Sequence, residues 1–113
     1  MKKRVFQIAY KESLLVTRAE MLKRCGYDVD SALGNDAAKR ILDKNQHYSI
    51  FIVGRDAPRE DREEMFRWLR AHFSTAKILA LTSEYEDTLT GADYCVPVNA
   101  PEQWLTTVSS ATS

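Results

Sequence analysis

Tyr48-Ser49-Ile50-Phe51-Ile52-Val53-Gly54-Arg55-Asp56-Ala57-Pro58 is the stretch on which the reading of this chain turns. Ile50 to Val53 form an unbroken apolar run rich in β-branched and aromatic side chains. Such a run reads as a strand buried on both faces, the pattern of a central strand in a parallel sheet. In open α/β sheets, ligands gather where the C-terminal ends of strands open into loops. Here that place holds Gly54, which has no side chain to offer, and Pro58 follows four residues later.

Outward from this strand, the chain alternates strands with helices. A first strand is expected over 5–9. A helix capped by Ser13 follows to about Cys25, with Leu15, Ala19 and Leu22 on its inner face. Gly26 then ends it in the left-handed conformation. A short, polar second strand spans 27–31, suited to a sheet edge. Asn35 or Asp36 opens a second helix striped by Ala38, Ile41 and Leu42. A third helix covers about 60–72, with Met65, Phe66, Leu69 and Phe73 inward, acids at its start and Arg67 and Arg70 toward its end. Strands at 77–82 and 92–98 come next. Asn99-Ala100-Pro101-Glu102 then starts a last helix whose Trp104, Leu105 and Val108 face the core. The tail from about Ser109 is polar and expected to fray. Alternation of this kind implies a parallel sheet covered on both faces.

Composition narrows the function classes. A chain of 113 residues reads as a single domain over 1–113, with 44% hydrophobic and 28% charged residues. Sixteen basic residues balance sixteen acidic ones, so no basic field favours nucleic acid or a membrane surface. No apolar run approaches the length of a bilayer span, and the stretch after the basic start is too short and polar for a signal-peptide core. A cytoplasmic protein is expected, with Cys25 and Cys95 as buried, reduced thiols. Neither a P-loop nor a GxGxxG fingerprint is present. His47 and His72 lie near expected helix ends without partners at ligand spacing, so neither a metal site nor a cofactor is expected.

Nearly the whole chain, roughly 4–108, resembles the receiver domains of bacterial response regulators. The block 49–58, the run Leu79-Ala80-Leu81-Thr82-Ser83 and the triplet Gly91-Ala92-Asp93 carry the resemblance by their order and spacing. It implies a flavodoxin-like (CheY-like) three-layer sandwich with a five-stranded parallel sheet of order 2-1-3-4-5. In that family an aspartate after the third strand accepts a phosphoryl group beside Mg²⁺. Two acids after the first strand share the metal, and a hydroxyl and a lysine contact the phosphoryl oxygens. On this chain those positions fall on Gly54, on Ala9 and Tyr10, on Thr82 and on Val96. Only the Thr82 hydroxyl is retained. Asp56 is the one candidate for a displaced acceptor, with Glu12 as its only acidic company.

The resemblance also implies a helix between the fourth and fifth strands, but 83–90 leaves room for about two turns. That helix is expected to be shortened or missing, with Tyr85 and Leu89 the only apolar residues to fasten the segment. The family's output surface is thereby reshaped, and Tyr85, Tyr94 and Trp104 are the candidate contacts. Trp104 is weighed more heavily as core. The expected function is a non-enzymatic, phosphorylation-independent interaction module of two-component (phosphorelay) signalling. Its partner would be a signalling protein, an output domain or a second copy. The alternatives are an active receiver phosphorylated at Asp56 and an unrelated small enzyme on the same fold.

Overall fold

A computed structural model describes residues 2–42, 46–84, 86, 89–99 and 101–113. The chain runs β1 (Arg4–Ala9), α1 (Glu12–Arg24), β2 (Asp28–Leu33), α2 (Asn35–Ile41), β3 (Ile50–Val53), α3 (Arg59–His72), β4 (Lys77–Thr82), β5 (Tyr94–Pro97) and α4 (Pro101–Thr112). All strand pairs are parallel, and the sheet order is β2-β1-β3-β4-β5. The apolar run 50–53 is therefore the central strand. All four of its residues are at most 1% exposed.

Strand alternation sorts the core into two halves. Phe6, Ile8, Phe51, Val53, Ile78 and Ala80 pack under α2 and α3, with Ala38, Met65, Phe66 and Leu69. Val5, Ile50, Ile52, Leu79, Leu81 and Val96 pack under α1 and α4, with Leu22, Trp104 and Val108. Burying both faces of one sheet makes the apolar β3 and β4 runs favourable at about 25 cal/mol per Å² removed from water.

Several local expectations are corrected. Helix α1 starts at Glu12, not at a Ser13 cap; Lys11 takes the capping position with no side-chain hydrogen bond. Ser13 already lies inside, its carbonyl accepting the Thr17 hydroxyl at 2.9 Å. Helix α2 opens at Asn35, as expected, with Gly34 at φ 87° in the capping position before it, which leaves the Asn35 side chain to bridge elsewhere. It ends one residue before Leu42, so Leu42 turns inward while Ile41 is 49% exposed. Cys25 caps the exposed end of α1, and Cys95 is half-buried on edge strand β5. The C-terminal tail, expected to fray, is helical to Thr112. Thr112 is 6% exposed, with its hydroxyl on the Val108 carbonyl at 2.8 Å.

Among the described residues no helix forms between Thr82 and Tyr94. Polar contacts from α3 hold the segment instead. Arg62 donates both ends of its guanidinium to Glu86, at 2.9 and 2.6 Å. Glu63 accepts the Thr90 amide at 2.8 Å. Arg70 reaches the Gly91 carbonyl at 3.3 Å and the Asp93 carboxylate at 2.8 Å. Leu89, 1% exposed, is the apolar anchor. Gly91 sits at φ 102°, where a side chain is strained, and its Cα hydrogens face the Phe66 ring.

Candidate functional site

The ends of β1, β3, β4 and β5 meet along one edge of the sheet, and the sequence-derived positions converge there. Ala9 closes β1 and is fully buried. Gly54 follows β3, its amide donating to the Ile8 carbonyl at 2.8 Å. Thr82 closes β4 at 4% exposure, and its carbonyl accepts the Val98 amide at 2.9 Å. Val96 stands opposite Leu81 in β5 and packs into the α1/α4 half of the core.

Tyr10 does not enter this cluster. Its hydroxyl donates to Asn35 Oδ1 at 2.7 Å, which swings the ring toward α2. Burial pushes its phenol pKa upward against the lowering pull of the Arg62 charge, so it stays protonated. Asn35 completes the link by donating to the Asp61 carbonyl at 2.8 Å. These residues line an open, polar cleft of about 660 Å³ between α2 and α3.

The group that does enter is Arg18, which the sequence reading did not single out. It projects from the inner face of α1 and is 6% exposed. A β-carbon built on Gly54 would lie 2.8 Å from Arg18 Nη1 and 3.3 Å from the Ile8 carbonyl oxygen. The space an acceptor side chain would need is thus partly filled by a guanidinium. One signal was available: residues 15, 18, 19 and 22 share the i, i+3, i+4, i+7 spacing of a buried stripe, and Arg18 is the charge within it.

Asp56 lies beside this group. Its side chain is 12% exposed, and Oδ1 is 3.7 Å from Lys11 Nζ. Oδ2 is buried without a hydrogen-bond partner. Burial pushes the Arg18 pKa down, the Asp56 charge pulls it back up and Arg55 lowers it further. Glu12, the other acid considered, is exposed at the start of α1.

These residues do not fit a divalent cation. Hard cations need several oxygen ligands. Ala9 and Gly54 supply none, Tyr10 is turned away, and a buried positive charge sits at the centre. Among the described residues no group of three His, Cys, Asp or Glu side chains is placed to hold a metal.

Of the candidate contacts, Tyr85 lies outside the described residues. Tyr94 is half-buried in β5, packed on the α1/α4 half of the core. Trp104 is corrected from contact candidate to core: it is 2% exposed. Trp104, Val108 and Thr112 fall four residues apart, so all three face the sheet.

No family model matches the sequence, and no curated protein matches it. Solved structures do. The chain superposes on the chemotaxis response regulator CheY4 of Vibrio cholerae at TM-score 0.79 and 20% identity, covering 98% of this chain and 99% of that one. The non-phosphorylated receiver domain of HemR from Leptospira biflexa gives TM-score 0.84 at 18% identity, covering 99% and 95%. The response regulator TrrA of Thermotoga maritima, in complex with Mg²⁺-BeF, gives 0.76 at 24% identity, covering 95% and 97%.

The fold is that of response-regulator receiver domains.

The edge formed by Ala9, Gly54 and Thr82 gathers the positions that the sequence resemblance singled out. The Arg18 guanidinium fills it from the α1 side. Among the described residues no helix stands between β4 and β5, and polar contacts from α3 reach this segment instead. Among the described residues, no helix is long and apolar enough to cross a membrane.

Proposed function

We propose that this chain is a degenerate receiver: a non-enzymatic, cytoplasmic interaction module of two-component-type signalling that works without phosphorylation. The observation that carries the reading is the pairing of Gly54 with Arg18. Phosphoryl transfer to a carboxylate needs the acceptor, and it needs a cation free to bridge the incoming phosphoryl oxygens. Here the acceptor position has no side chain. The resident cation is tethered to α1, and its charge opposes entry of Mg²⁺. What the fold retains is a rigid sheet edge and a remodelled β4–β5 face on which a protein partner can be read. That partner is a signalling protein, an output domain or a second copy of the chain.

An enzyme on the same fold finds little support. The cleft between α2 and α3 is open and polar. Its Lys39 is paired with Glu64, and its Asn35 amide donates to the Asp61 backbone carbonyl.

The Thermotoga regulator holds Mg²⁺-BeF, and the same reagents test this chain. Amide spectra recorded during addition of MgCl₂ and then beryllofluoride should leave Gly54 and Thr82 unmoved at millimolar concentrations. A saturable shift at both would contradict the reading.

A further inference from the structure

We infer that the cleft between α1 and the start of α4 is a binding site for a small organic carboxylate with an apolar body. The cleft encloses about 220 Å³. Its walls include Met21, Val98 and Trp104, and two guanidinium groups, Arg18 and Arg55, face into it beside Thr17. Arg55 comes from the loop after β3 and is exposed.

Arg18 is the centre of the argument. It is more than nine-tenths buried, and among the described residues its guanidinium has no hydrogen-bond partner. A guanidinium carries five N–H donors and stays charged in proteins. None of its nitrogens is closed off from solvent without a partner, so donors that lack a protein acceptor reach the water of the cleft, which a ligand oxygen can replace. Asp56 is the carboxylate that supports the Arg18 charge, and it also faces Lys11 at 3.7 Å. Lys11 and Arg18 therefore share the carboxylate of Asp56, and Arg55 adds a further positive charge that acts on Arg18. The surplus is positive and opens into a cleft with apolar walls.

This combination selects a chemistry. The planar fork of a guanidinium matches a carboxylate with two parallel hydrogen bonds. The apolar walls favour a ring or short hydrocarbon body on the same molecule. Inorganic phosphate would meet the charge and waste the walls, and acetate would meet the charge with almost no body. The volume admits about one ring. The site does not depend on whether the chain accepts phosphate.

The test is an NMR titration of the whole chain with sodium benzoate at constant ionic strength, followed at the Trp104 indole N–H. Trp68, on α3 across the sheet, is the internal control for folding and bulk effects. Benzoate should shift Trp104 saturably with millimolar affinity and leave Trp68 in place. Acetate should bind at least about tenfold more weakly, and phosphate should give no saturable shift. Arg18→Met should abolish the benzoate response. Arg18→Lys, which keeps the charge and loses the fork, should weaken it about tenfold. Arg55→Gln, at an exposed position where folding is not at stake, should weaken it severalfold.

No saturable shift in the wild type would overturn the site and leave Arg18 served by Asp56 through solvent. A benzoate response unchanged in both Arg18→Lys and Arg55→Gln would overturn the assignment to these guanidiniums. Phosphate binding tighter than benzoate would overturn the ligand class.

Discussion

Arg18 Nη1 lies 2.8 Å from where a β-carbon on Gly54 would sit. The two residues are complementary: the glycine makes room at the end of β3, and the arginine uses that room from α1. The receiver positions Ala9 and Val96 fit the same arrangement, since neither brings a charge to the edge.

This relationship predicts a coupled pair. Gly54→Ala should displace the guanidinium and press on the Ile8 carbonyl, costing about 1–2 kcal/mol. In an Arg18→Met background the same change should cost less, with a coupling energy of about 1 kcal/mol. Urea unfolding of the four proteins measures it. Equal costs in both backgrounds would show that Arg18 does not occupy the position.

The ion pair between Arg62 and Glu86 should make stability depend on acid pH. Hydrogen bonding from Arg62 is the leading reason that Glu86 is held below its ordinary value of 4.5. A carboxyl depressed on folding contributes stability that is present above the unfolded pKa and lost as pH falls through the folded one. Glu86→Gln leaves Arg62 buried and uncompensated and should cost about 3 kcal/mol near pH 6. The gap between wild type and variant should shrink steadily below pH 4.5. Urea midpoints at pH 6 and pH 3 check this; a gap that does not change with pH would mean the pair is not formed.

Two glycines separate backbone strain from crowding. Gly26 and Gly91 both have positive φ, 92° and 102°. A β-carbon at Gly26 meets nothing within 4 Å, while one at Gly91 meets the Phe66 β-carbon at 3.2 Å. Gly26→Ala should therefore cost only the left-handed penalty, about 1 kcal/mol. Gly91→Ala should cost about 1 kcal/mol more, because Phe66 is fully buried and cannot move freely. Thermal midpoints of the two variants compare the effects directly, and equal shifts would refute the crowding at Gly91.

The sheet was legible in the sequence because its central strands are apolar on both faces. The 50–53 run is bounded by Ser49 and Gly54, and 77–82 emerged with the boundaries expected. The place of Gly54 was legible for the same reason: it falls directly after the apolar β3 run, with its amide on the Ile8 carbonyl. Arg18 was hidden because a charged residue is ordinarily read as solvent-facing, and only its place in the 15/18/19/22 stripe spoke otherwise. The β4–β5 segment was misjudged in its fastening. Apolar residues are easy to count along a sequence, whereas Arg62–Glu86 and Arg70–Asp93 join residues more than 20 apart. The C-terminal tail misled through composition. Its threonines look like loop residues, yet Thr106, Thr107 and Thr112 return their hydroxyls to carbonyls four residues back. Burial of Thr112 beside Tyr27 then holds the last turn.

The central claim is that the receiver fold here has no acceptor chemistry, and Asp56 is its direct challenge. Its carboxylate is near Lys11 and Arg18, but Oδ2 is closed off from solvent. Intact-mass measurement after treatment with acetyl phosphate and Mg²⁺, on wild type and on Asp56→Asn, decides between them. The account predicts an unchanged mass for both proteins; a phosphoryl increment on the wild type that disappears in Asp56→Asn would contradict it and make Asp56 the acceptor.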